Sequence, residues 1–113
     1  MAAMTTALTE FSTLGDSRTY TTSGHSASRP KLVQQKRRVA TGNQSVQEST
    51  VSVIHATEDP DGALLPQKVN FSISVRYPID GDATDVTNAL AIIRDVVAGD
   101  EFANMVTTQE FLV

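Results

Sequence analysis

Cysteine and tryptophan are both absent from this 113-residue sequence, and aromatic residues make up only 5% of it. Without Cys there are no disulfides and no thiolate metal sites, and without large side chains few anchors remain for a core. The apolar share, 40%, is a little low for a globular protein. Small domains bury a modest fraction of their surface and make good the shortage with disulfides, metal or association. With the first two removed, association with another chain is the remaining remedy. No apolar run approaches the roughly 18 to 20 residues that span a bilayer. The segment from Met1 to Thr13 lacks a basic start followed by an apolar block, so a soluble chain without an export signal is expected. The length suits a single domain over 1–113, since domains usually run to roughly 100 to 200 residues.

Catalytic signatures are missing too. His25 and His55 form no HxH, HxxxH or HExxH spacing that would gather a metal. Asp59 and Asp61 in the turn DPDG, with Glu58 just before it, lack the ligand ladder of a calcium loop and read as a solvated acidic loop, with an ion between subunits as the minor option. There is no GxSxG elbow, and the glycines at 15, 24, 42, 62, 81 and 99 never make GxGxxG or a phosphate loop. The expectation is a protein that is not an enzyme, with no cofactor, no metal and no small-molecule substrate.

What the chain does have is concentrated between Lys68 and Gly99. KVNFSISVRYPI alternates without a break, with Val69, Phe71, Ile73, Val75 and Tyr77 on one side and Asn70, Ser72, Ser74 and Arg76 on the other. That period of two marks an antiparallel strand with one apolar and one hydrogen-bonding face. After the acidic turn DGDATD the period changes to about 3.6. Val86, Leu90, Ile93 and Val97 then form a helical stripe that Ala89, Ile92 and Val96 widen. Asp82, Thr84 or Asp85 can cap this helix, and Gly99 suits a left-handed end. Asp100 is placed to cap a short second helix carrying Phe102, Met105 and Val106, so helices span 83–108. The apolar end Phe111-Leu112-Val113 is expected to dock.

Strands occupy the earlier part. Thr5–Leu14 and Arg18–Thr22 flank the turn signal Gly15-Asp16 and predict an N-terminal hairpin over 5–22. A polar connection, Ser23–Pro30, leads to a sheet over 31–79. Its first two strands, Lys31–Thr41 and Ser45–Thr57, are joined at Gly42-Asn43. Glu58–Gln67 is a loop broken by Pro60, Gly62 and Pro66, in which Leu64 and Leu65 either tuck under or meet a neighbouring chain. The net charge of −4 hides an asymmetry: residues 1–45 carry six cations against two acids, and 46–113 carry three against eleven. Bulk nucleic-acid binding is disfavoured, but a local basic patch is permitted. Of the basic strand, Gln34, Lys36 and Arg38 can share one face. If that is also the face of Asn70, Ser72, Ser74 and Arg76, it offers cations for phosphates and small polar groups for bases. The plainer alternative is that these cations only keep a sheet face hydrated.

This order of elements, with VNFSISVRYPIDGDATDVTNALAIIRDVV at its centre and the hairpin KLVQQKRRVATGN to QESTVSVIHA before it, resembles the coat proteins of single-stranded RNA bacteriophages. The resemblance implies an α+β fold: an N-terminal β-hairpin, an antiparallel sheet and two C-terminal helices, with a continuous sheet across two subunits of a homodimer. It implies that Val86, Leu90, Ile93, Val97, Phe102 and Met105 lie in the dimer interface, and that dimers build an icosahedral T=3 shell. The loop 58–67 would then adapt to different symmetry axes. Single-stranded RNA would lie on the polar face at Gln34, Lys36, Arg38, Thr50, Ser52, Asn70, Ser72, Ser74 and Arg76, including a stem-loop operator whose occupation represses translation. No membrane partner is implied, and the place of action is the virion, with host cytoplasm during assembly. The sequence departs from the family near Asn70, where a stacking aromatic is expected and none is present. Two readings compete with it: a tail-tube or other oligomeric structural protein that ignores RNA, and a small enzyme or ligand carrier on an antiparallel sheet, disfavoured because no convergent ionisable cluster is visible.

Overall fold

A computed structural model of the chain describes residues 3–39 and 46–113. The predicted turn at Gly42-Asn43 lies outside the described residues. Five strands, β1 (Thr9–Leu14), β2 (Ser17–Thr21), β3 (Lys31–Arg38), β4 (Val46–His55) and β5 (Val69–Pro78), precede two helices, α1 (Ala83–Ala98) and α2 (Asp100–Thr108). The chain divides into two units, Met1–Ile79 and Asp80–Val113. The first is one antiparallel sheet in the order β1-β2-β3-β4-β5. The α+β fold class expected from the sequence is the one observed. The N-terminal hairpin starts at Thr9, four residues later than the pattern suggests, and is part of the same sheet because β2 pairs with β3.

Each turn has a local cause. Gly15 takes a left-handed φ of 58° in the two-residue link between β1 and β2, a conformation that disfavours a side chain. β1 carries a register shift between Glu10 and Ser12, which leaves Phe11 unpaired. In the connection to β3, the Lys31 N–H donates to His25 Nδ1 at 3.0 Å, and the His25 ring meets Phe11 edge-on at 5.5 Å. His25 thus closes a loop. Pro30 sits just ahead of β3, where its missing N–H costs nothing, and its carbonyl accepts from the Ala56 N–H at 2.9 Å.

The loop after β4 is folded back on itself. Asp59 Oδ1 accepts from the N–H groups of Asp61 and Ala63, at 3.0 and 2.9 Å, so the carboxylate is used in its own turn. Glu58 and Leu64 form an isolated bridge, and the Leu65 N–H donates to the Thr57 carbonyl at 3.0 Å. Arg29 binds Glu58 and ties the two loops together. Leu64 and Leu65 do not tuck under; both stay exposed.

In the second unit Asp82 caps α1, its Oδ1 accepting from the Thr84 N–H at 2.9 Å. Gly99 departs from expectation. It is extended, with φ −79° and ψ 154°, because it both ends α1 and serves as the N-cap of α2. An N-cap needs non-helical backbone, which rules out the left-handed ending, and Asp100 becomes the first helical residue instead of the cap. The left-handed C-cap belongs to Gln109, at φ 58°. The apolar end is open in the single protomer, with Phe111 93% exposed. Among the described residues none is buried, hydrophobic or polar.

Candidate nucleic-acid interface

Side chains directly opposite each other in an antiparallel ladder share a face, so the register alone assigns the surface. Gln34 faces Ser52, and Ser52 faces Ser72; Lys36 faces Thr50, and Thr50 faces Ser74. Arg38 faces Glu48, and Glu48 faces Arg76. A fourth row, Leu32, Ile54 and Asn70, closes one end. All nine residues named for RNA on the basis of sequence therefore lie on a single side of β3, β4 and β5. Strands about 4.8 Å apart, with same-face residues roughly 6.8 Å apart along each strand, make this a close grid of short polar groups. β2 extends it, because Ser17 pairs with Lys36 and Thr19 with Gln34. Those two were not foreseen, since nothing in the sequence says which strand the first hairpin joins.

The hydroxyls of this grid bond across the strands: Thr50 Oγ1 to Ser74 Oγ and Ser52 Oγ to Ser72 Oγ, each at 3.1 Å. A hydroxyl has one donor and two acceptor sites, so each keeps capacity for a ligand. The cations are not equivalent. One Glu48 carboxylate holds two arginines, Oε2 at 3.2 Å from Arg38 Nη2 and Oε1 at 3.4 Å from Arg76 Nε. Lys36 has no such carboxylate among the described residues. Glu48 was missed in the sequence, although its parity with Thr50 and Ser52 places it on this face. Arg37 has the other parity and pairs with Asp16 at 3.1 Å, through Nε and Oδ1.

No aromatic residue of β2 to β5 lies on the polar side. Phe71 and Tyr77 face Val53 and Gln47, and Tyr20 faces Val33, which puts all three on the opposite surface. That surface carries Val33, Val51, Val53, Val69, Phe71, Ile73 and Val75, flanked by the polar Lys31, Gln35, Arg37, Gln47, Ser49 and His55. Phe71 is 39% exposed and Ile73 is 49% exposed. On the helices, the residues named for a dimer interface are also only partly covered: Leu90, Ile93, Val97 and Met105 are exposed, while Val86 and Phe102 are half-buried. Among the described residues, no three His, Asp or Glu side chains converge to hold a metal ion, and no helix is long and apolar enough to cross a membrane.

The chain matches solved structures over nearly its full length. A chain of the virus-like particle of Wenzhou levi-like virus 4 superimposes with a TM-score of 0.82, covering 99% of this chain and 82% of its own, at 14% identity. The virus-like particle of Beihai levi-like virus 32 gives 0.75, with 96% and 90% covered at 13% identity. This is the fold of levi-like virus coat proteins. The bacteriophage EMS014 coat protein shares it with a TM-score of 0.61, 87% and 76% covered, and 13% identity. No family model and no curated protein sequence matches the chain. The likeness thus lives in topology, a five-stranded sheet followed by two helices, with most residue identities replaced.

Proposed function

We propose that this chain is the coat protein of a single-stranded RNA phage or levi-like virus, a non-enzymatic subunit whose homodimers assemble into an icosahedral shell around the genome. The observation that carries this reading is the near-complete superposition on a chain of a levi-like virus-like particle, at a TM-score of 0.82. Physical chemistry points the same way. A protomer with no buried described residue has not finished burying its apolar surface, and hydrophobic burial is the main favourable term in folding. The occupant of that surface is a second copy of the chain. β5 is a ten-residue edge strand whose outer N–H and C=O groups need a partner. Pairing with its own copy across a twofold axis satisfies them and continues the sheet. The helical stripe Val86, Leu90, Ile93 and Val97, with Phe102 and Met105, then covers the apolar sheet face of the pair.

In this arrangement the polar face turns inward and meets RNA. Lys36, Arg38 and Arg76 supply charge for phosphates, and Gln34, Thr50, Ser52, Asn70, Ser72 and Ser74 supply short hydrogen-bonding groups for riboses and base edges. Loop RNA is normally read by stacking on aromatic rings, and this face has none in β2 to β5. Sequence-independent packaging is therefore favoured over tight reading of a stem-loop operator as a translational repressor. The test is expression followed by size exclusion, absorbance at 260 and 280 nm, and negative-stain microscopy. Megadalton shells rich in nucleic acid are expected. Tubes or rings without RNA would favour the tail-tube reading, and a discrete small species would overturn assembly altogether.

A further inference from the structure

Three cations lie on the polar face, yet two of them share a single carboxylate. Arg38, Glu48 and Arg76 form one row across β3, β4 and β5, with Glu48 in the middle. Both carboxylate oxygens are engaged, one on each guanidinium, at 3.2 and 3.4 Å. The atoms used are Nη2 of Arg38 and Nε of Arg76, which lie on the edges a phosphate would grip in a two-point contact. All three side chains remain open to solvent, Glu48 at 35%, Arg38 at 49% and Arg76 at 63%. A pairing this exposed contributes little to stability, so it occupies the arginines without locking the fold.

We propose that Glu48 is a built-in brake on RNA binding: it engages both Arg38 and Arg76 on the polar face, offsets one of their two charges, and leaves Lys36 as the cation with no carboxylate beside it among the described residues. This inference rests on the reading of the polar face as the RNA surface. An RNA phosphate bound at the row must displace the carboxylate or share the arginines with it, and in either case the attraction per phosphate falls. In a shell, where one polyanion touches many identical subunits, weak interactions add up through effective concentration. A brake on each subunit keeps the RNA exchangeable while the total attraction stays high.

The experiment uses the full-length protein and an unstructured oligouridylate, with affinity measured across a salt series. In single-stranded binding, each phosphate that the protein neutralises contributes about 0.7 to the slope of log K against log salt. Glu48→Gln, which keeps size and hydrogen bonding but removes the charge, is expected to raise affinity several-fold at low salt. It should steepen the slope by about 0.7 to 1.4, one or two cations' worth. Arg38→Ala should weaken binding modestly while Glu48 is present and should weaken it more in the Glu48→Gln background, erasing about half of that variant's gain, a coupling that a merely structural role would not produce. Lys36→Ala should weaken binding in either background. If Lys36→Ala weakens binding while Glu48→Gln moves neither affinity nor slope, the face binds RNA and the brake is refuted. If neither variant alters binding, the RNA surface lies elsewhere and both proposals fall. Glu48→Thr, which continues the hydroxyl pattern of Thr50 and Ser52, carries the same test should the Gln variant not assemble.

Discussion

The two sides of β5 differ in what they are short of. Asn70, Ser72, Ser74 and Arg76 alternate with Val69, Phe71, Ile73 and Val75 along one strand, and every one of the eight is exposed in the single protomer. For the polar side this is an acceptable end state, because water or a polar ligand can satisfy each group. For the apolar side it is not. Fully burying one large apolar side chain is worth about 1.5 to 3 kcal/mol; these four, at 39% to 49% exposure, each forgo only part of that, yet their sum is still a substantial part of a small domain's net stability. Equal exposure thus carries opposite meanings: one face can remain in water as it stands, and the other is the face that the proposed dimer would cover.

Neighbouring substitutions separate the two most sharply. Phe71→Asp places a charge where the dimer would bury an aromatic ring, an uncompensated cost of several kcal/mol. Complete loss of particles is expected, as it is for Leu90→Asp on the helical stripe; normal shells from either variant, seen by microscopy, would break the comparison. One residue further on, Ser72→Asp should leave the dimer and the shell intact, because its side of the strand stays hydrated. Its effect should appear instead as a lower 260/280 nm ratio, since the added charge repels phosphate. Lys36→Ala should act in the same direction more gently, lowering affinity a few-fold and flattening the salt slope by about 0.7, measured by titration with unstructured RNA. Smallest is Asp82→Ala, which removes the α1 cap and belongs to neither face. It should cost about 1 kcal/mol and a few degrees of melting temperature, with RNA content unchanged.

Much of the fold was legible locally. The alternation of β5 and the helical period of α1 are each written in consecutive residues, as is the Asp82 cap. Gly99 was misread because Gly at a helix end usually signals a left-handed stop. Here a second helix begins at once, and one residue serves both ends. The apolar tail was expected to dock, and in the single protomer Phe111 is almost fully exposed. In the candidate site, parity within a strand was enough to group Gln34 with Lys36 and Arg38, and Asn70 with Ser72 and Ser74. It was not enough to join the groups, because a one-residue slip in pairing would have sent either set to the other face. Glu48 shows the same limit from another side. Its charge was visible, but its neighbours, Arg38 ten residues before it and Arg76 twenty-eight after it, were not.

From sequence alone came the elements, the amphipathic character of each and the shortage of material for a core, since these depend only on residue type and spacing along the chain. Register, the joining of the first hairpin to the sheet, and the seating of one carboxylate between two arginines were decided in three dimensions. Those features depend on which backbone groups pair across strands, and hydrogen bonding between strands leaves no local trace in the order of residues.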